Sequence, residues 1–267
     1  MPRQRTLTSE AAGGRLLLVV VAVLLCLSVP LGRAAPPGAE VAEFPGFTGK
    51  LPSKHYAGYD LSSSIYEKKS NILCRVQYLR LHCIHTISSV LQTFRVRRYV
   101  TVGQHEQRKR HLYYYLAVSE RNPSLDPVVI WINGGPACSG FSAFLHSFGP
   151  FRMEGSQVHI NDGPRVAVNP YSWTKMASLL LVDSPAGVGY SYADHEDDYT
   201  TDDTSRVADL YDFLSKWFAE YAEFLSNPFY VAGCSYSGVI VPVLAHEIIK
   251  RNEESGGVKI NFKVIHL

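Results

Sequence analysis

The sequence has little charge imbalance, with 26 Lys and Arg against 24 Asp and Glu. That near balance excludes a strongly basic binder, so no nucleic-acid partner is expected. Cysteine is scarce, with five in 267 residues. No motif for a metal or cofactor emerges: the acidic run 194–198 lacks the spacing and glycine of a calcium loop, and no Gly-Lys-Ser/Thr follows the Gly134-Gly135 turn to make a phosphate loop. Neither a metal nor a cofactor is therefore expected. Low-complexity tracts are missing too, which excludes a disordered chain. No glycosylation sequon occurs, because Pro123 disqualifies Asn122-Pro123-Ser124. Between Asp60 and Arg98 there is neither Gly nor Pro, and after Ser235 there is no Asp.

What is present begins with a targeting pattern. Residues 1–15 carry Arg3, Arg5 and Arg15, residues 16–27 are apolar, and Gly32-Arg33-Ala34 offers small residues where a signal peptidase cuts. The apolar run is too short to span a bilayer comfortably, so residues 1–34 are read as a signal peptide and no stable membrane anchor is expected. The chain then belongs to the secretory pathway, extracellular or vacuolar. It retains Cys74, Cys83, Cys138 and Cys234, an even number whose connectivity sequence alone leaves open.

Residues 44–59 mix loop punctuation with aromatics and read as a segment draped over a surface. Residues 60–98 have an excess of Lys and Arg and no sustained period, and read as an inserted stretch with a solvated face. Tyr99-Val100-Thr101-Val102-Gly103 and residues 112–118 are expected to form an antiparallel hairpin, with Arg108-Lys109-Arg110-His111 in its solvated turn. Val128-Val129-Ile130-Trp131-Ile132 and Leu179-Leu180-Leu181-Val182-Asp183 are continuous apolar runs of the kind buried in central strands. Val207, Leu210, Leu214, Trp217, Phe218 and Tyr221 recur at helical spacing behind N-cap residues at 200–203. The acidic run 194–198 reads as a solvated loop. Strands alternating with helices imply a mostly parallel α/β sheet.

Two stretches carry chemistry. Residues 227–238, followed by an apolar periodic run, are read as the Gly-x-Ser-x-Gly form of a nucleophile elbow, a strained strand-to-helix turn that presents Ser235. Asn133-Gly134-Gly135-Pro136 follows a buried strand, where hydrolases of this kind place the second amide of an oxyanion hole. Gly135 and Tyr236 are thus expected to supply the two backbone N–H donors.

Trp131-Ile132-Asn133-Gly134-Gly135-Pro136-Ala137-Cys138-Ser139, the Asn169-Pro170-Tyr171-Ser172-Trp173 turn, residues 183–192 and Gly233-Cys234-Ser235-Tyr236-Ser237-Gly238 together resemble the serine carboxypeptidase family, particularly its plant serine carboxypeptidase-like members. The resemblance implies an α/β-hydrolase fold with an N-terminal antiparallel hairpin, Ser235 as nucleophile, and a substrate site including Asn133, Gly134 and Cys234. It also implies a peptide or acyl-ester substrate, with Asn133 holding a terminal carboxylate. Two departures stand out. Where the family has Glu, or Asp in its acyltransferase branch, this sequence has Cys234, which cannot share a proton with a carboxylate. Joining Tyr59 to Val100 restores the family pattern, so residues 60–99 read as a foreign insertion in a domain spanning 35–267. In this fold the triad runs Ser, Asp, His along the chain, yet Ser235 is followed by no Asp and by His246 and His266 alone. The tail 264–267 departs from the family's continuation, Cys138 lacks its usual downstream partner, and the sequence is expected to be truncated and inactive by itself. The alternatives are an acyltransferase using glucose esters and a non-catalytic lumenal fragment.

Overall fold

A computed structural model describes residue 35 and residues 39–44, 47–57, 99–103, 108–153, 166–254 and 256–266, the last three by backbone alone. The signal-peptide reading of residues 1–34, the insertion at 60–98, and Cys74 and Cys83 lie outside the described residues. The elements, in chain order, are β1 (His55–Ala57), β2 (Tyr99–Val102), β3 (Arg110–Ala117), β4 (Val128–Ile132), α1 (Gly140–Ala143), β5 (Phe151–Met153), β6 (Val166–Val168), β7 (Ser178–Val182), β8 (Tyr192–Ala193), α2 (Asp203–Glu220), β9 (Phe229–Gly233), α3 (Ser237–Glu253) and β10 (Phe262–His266).

The main sheet has the order β1-β3-β7-β4-β9-β10, with β2 and β8 pairing the start of β3. β7, β4, β9 and β10 run parallel, and β3 is antiparallel to β7. Parallel neighbours need crossover connections, here made by α2 between β7 and β9 and by α3 between β9 and β10. α2 and α3 cover one face of the sheet, and Phe141 of α1 with Phe44, Phe144 and Phe151 covers the other, which is why Leu179, Leu180 and Leu181 are all buried although they point to alternate sides.

β3 shows the alternation most clearly. Leu112, Tyr114 and Leu116 face the layer of α2 and α3, packing with Leu210, Phe213, Trp217, Leu244 and Ile248. Tyr113, Tyr115 and Ala117 face the opposite layer, with Phe44, Phe141, Phe144 and Phe151. The predicted stripe of α2 is buried as expected, with Phe213 added to it. Asp202 caps that helix by accepting from Ser205 N at 2.7 Å. Among the described residues no helix is long and apolar enough to cross a membrane.

The structure corrects several local expectations. The β2–β3 hairpin forms, but Arg110 and His111 lie in β3 rather than in its turn. Arg110 is held there by a forked pair of hydrogen bonds, 2.7 and 2.6 Å, to the buried carboxylate of Asp209. Residues 55–57 do more than drape: β1 adds an antiparallel edge strand to β3. The acidic run 194–198 contains a 3₁₀ turn, Glu196–Tyr199, whose Asp198 is buried near Arg108. The tail is β10, in parallel register with β9.

Trp217 has no exposed surface, stacks on Tyr221 at 4.8 Å and meets Phe218 edge-on at 5.0 Å. Trp217→Ala is expected to cost about 3–5 kcal/mol through lost burial and a residual cavity. Val239→Ala on the exposed side of α3 should stay within about 0.5 kcal/mol. Urea midpoints of the two variants against the parent check both values.

Candidate active site

Three parallel strands finish at one edge of the sheet. Ile132 of β4 lies opposite Gly233 of β9, and Trp131 lies opposite Leu181 of β7. Asn133, Asp183 and Cys234 consequently emerge side by side, outside the carboxyl ends of the strands where open α/β sheets place their sites.

Ser235 sits in the turn between β9 and α3 with φ of 55°, in the left-handed region. A side chain there stores roughly 1–3 kcal/mol of strain. The turn is closed by Ser237 N donating to Cys234 O at 3.0 Å and Gly238 N donating to Ser235 O at 2.9 Å. The glycine before the serine is required, since a Cβ on Gly233 would stand 2.8 Å from both Ile132 O and Ser237 Cβ. The expected second glycine is not at the matching place. Gly238 lies three residues after Ser235 and a Cβ there would meet nothing within 4 Å. The close-packed position two residues after the nucleophile is Ser237, which is fully buried.

The Asn133-Gly134-Gly135 turn packs directly on this elbow. A Cβ on Gly134 would lie 2.6 Å from Cys234 O, 2.8 Å from Ser235 Cβ and 3.1 Å from Tyr236 N. Gly135 follows with φ of 116°. The Asn133 side chain donates to Ser139 O at 3.0 Å and accepts from Trp131 Nε1 at 3.3 Å and from the Cys234 thiol at 3.4 Å. All six residues singled out by sequence, Asn133, Gly134, Gly135, Cys234, Ser235 and Tyr236, belong to these two adjoining turns.

Five residues at the site escaped sequence reasoning. Asp183 is buried and accepts from Ser139 Oγ at 2.7 Å, Gly140 N at 3.0 Å and Tyr190 N at 3.1 Å. Burial pushes its carboxyl up to about 6, against the opposing pull of the three donors. Ser139, quoted for its motif, is one of those donors. Asp203 accepts from the Tyr236 hydroxyl at 3.0 Å on both oxygens, and this bond raises the phenol's pKa. Arg206 is buried and donates from Nη2 to Ser184 O at 3.0 Å and, more weakly, to Asn133 O at 3.5 Å. Ser237 Oγ donates to Asn133 O at 2.7 Å. The available signal for Arg206 was a cation falling one residue before Val207 on the buried stripe of α2, an anomaly that asks for a partner.

Among the residues whose side chains are described, the Ser235 hydroxyl has no hydrogen-bond partner that could serve as its base. His246 is exposed on α3, roughly 16 Å along the axis from Ser235 at ~1.5 Å per residue. His266 closes β10, in register with Ala232.

The family model described as serine carboxypeptidase matches residues 90–267. Serine carboxypeptidase 1 of Hordeum vulgare is 44% identical over 230 residues, covering 86% of this chain and 38% of the relative. Serine carboxypeptidase-like 21 of Arabidopsis thaliana is 38% identical over 251 residues, covering 94% and 42%. The chain thus spans about two fifths of the length of these relatives. A prohormone-processing carboxypeptidase from Saccharomyces cerevisiae superposes with a TM-score of 0.51 at 24% identity, over 61% of this chain and 35% of that one. With the mostly parallel sheet, this likeness shows the α/β-hydrolase fold.

Gly134→Ala should force the two turns apart, because the atoms it meets are mostly backbone, at a cost of about 1–3 kcal/mol in thermal or urea unfolding. Asp183 gives a pH signature. Its folded carboxyl titrates near 6 and its ordinary value is 3.8, so the folded state holds a proton that the unfolded state has lost between those values. Stability is expected to rise by up to about 3 kcal/mol as pH falls from above 6 toward 4. Unfolding titrations of Asp183→Asn should lack this slope.

Proposed function

Because this chain belongs to the serine carboxypeptidase family, we propose that it carries the nucleophile half of a serine-type carboxypeptidase-like hydrolase of the secretory pathway, extracellular or vacuolar, which releases C-terminal residues from peptides. The observation that carries this reading is Ser235 at φ of 55° with Gly134 packed against its turn. In the proposed reaction the Ser235 hydroxyl attacks the scissile carbonyl, the amine leaves, and water later cleaves the acyl-enzyme. The Gly135 and Tyr236 amides receive the developing oxyanion, and one such donor supplies roughly 3–4 kcal/mol. Asn133 retains one N–H beyond its bond to Ser139, available to a substrate carboxylate.

The attack also needs a base, and loss of triad members costs several orders of magnitude in rate. We propose that these 267 residues are inactive by themselves, a non-catalytic lumenal fragment until an Asp and a His are supplied. A second reading is acyl transfer from an activated ester, such as a glucose ester, to an alcohol. Ser237 in the elbow favours it, whereas Cys234, a thiol bound to Asn133, stands where both branches carry an acid and does not support it.

Fluorophosphonate labelling, read by intact mass against a Ser235→Ala control, tests both parts. The 267 residues alone are expected to stay unlabelled, and labelling at Ser235 would refute the inactivity. Extended by the downstream portion of the barley relative, where this fold places its Asp and His, the protein should label at Ser235. A folded, unlabelled extension would refute Ser235 as nucleophile. Turnover of a peptide against a glucose ester by the extended protein separates the two readings.

A further inference from the structure

We propose that Asp203, Arg206 and Ser237 form a clasp that fixes the two oxyanion amides relative to each other, making them positioning residues for the chemistry read above, on which this inference rests.

An oxyanion hole works when both donors are held about 2.7–3.1 Å from one point before the charge develops. Here the two donors lie on separate turns, more than 100 residues apart in sequence; the β4–β9 register and the packing of Gly134 bring the turns together, and polar contacts tie them to the helices behind. The Asn133 carbonyl, which opens the Asn133-Gly134-Gly135 turn, accepts from the buried Ser237 hydroxyl at 2.7 Å and from Arg206 Nη2 at 3.5 Å. The first bond ties the turn to α3 and the second ties it to α2. Tyr236 is tied to α2 as well, through its hydroxyl on both oxygens of Asp203 at 3.0 Å. Asp203 and Arg206 are three residues apart, so they share one face of the first turn of α2. One rigid helix end thereby becomes the common reference for both donors.

Arg206 supplies an independent argument. Among the described residues this buried guanidinium has no salt bridge and its Nη1 has no partner. A cation held in that way is costly, and an apolar side chain of similar volume would pack there at less cost. The contacts that set it apart are those to Ser184 and Asn133, whose carbonyls belong to the two loops bounding the elbow.

The test is amide ¹⁵N relaxation of the full chain, with no turnover needed. In the parent, Gly134, Gly135 and Tyr236 are expected at the rigid-backbone order parameter of about 0.85. Ser237→Ala should lower Gly134 and Gly135 toward about 0.6 while the amides within α2 and α3 stay unchanged. Asp203→Ala should lower Ser235 and Tyr236 instead. Tyr236→Phe should reproduce that loss, and Asp203→Ala added to it should bring no further change, because the two act through one bond. Unchanged order parameters in both turns, loosening spread evenly through α2 and α3, or additive losses in the double variant would each overturn the clasp. Arg206→Gln is a fourth variant, expected to loosen Gly134 and Gly135. If it does not fold, Ser237→Ala and Tyr236→Phe, which remove atoms without adding any, still decide. Labelling of Ser235 in the extended protein is a separate readout, so failure of the clasp and failure of the hydrolase reading are distinguishable.

Discussion

The register of three parallel strands governs everything at the site. With neighbouring strands about 4.8 Å apart, pairing Ile132 with Gly233 and Trp131 with Leu181 delivers Asn133, Cys234 and Asp183 to one edge. Buried side chains on both faces hold that register, since a shift by one residue would exchange the faces of a whole strand. The contact between Cys234 and Asn133 and the closeness of Gly134 to the elbow follow directly. Chemistry at this edge is therefore a product of packing some distance beneath it.

Much of this was legible in the sequence. The apolar runs of β4 and β7, the stripe of α2 and the strand-turn-helix around Ser235 were each announced by a local pattern. Ser235, Gly135 and Tyr236 could be named from a serine and glycines at strand ends, whereas Asn133, Gly134 and Cys234 entered through the family resemblance. Asp203, Arg206 and Ser237 could not be named, because a polar residue's partner is set by the fold: Arg206 reaches Asn133 across 73 positions. The same reason explains the misplaced start of β3, where a cluster of basic residues looked like a turn until Asp209 claimed Arg110. The misjudged glycine of the elbow is different in kind. Gly238 stands three residues after Ser235, and the close approach falls on Ser237, whose hydroxyl donates to Asn133 O.

The two buried charges nearest the elbow hydrogen-bond to neutral groups alone, with Arg206 Nη1 left unpaired. Asp183 takes two backbone amides and a hydroxyl, and Arg206 gives to two carbonyls and a hydroxyl. Desolvation consequently acts on both in opposite senses, raising the carboxyl and lowering the guanidinium. Dipoles oriented by the backbone are already in place when the chain folds and are screened little by salt. Such an environment suits a site meant to receive charge during a reaction, at some expense in stability.

The three tryptophans are distributed unevenly over the layers. Trp217 is sealed among Tyr221, Phe218 and Phe224 on one side of the sheet. Trp131 and Trp173 meet on the other side, 6.1 Å apart, with the Trp131 indole bonded to Asn133 and Trp173 partly open to water. The chain is therefore optically divided: its blue-edge emission comes from the helical layer, and its red-edge emission comes from a pair coupled to the rim of the candidate site. Events at that rim are visible by light without any label.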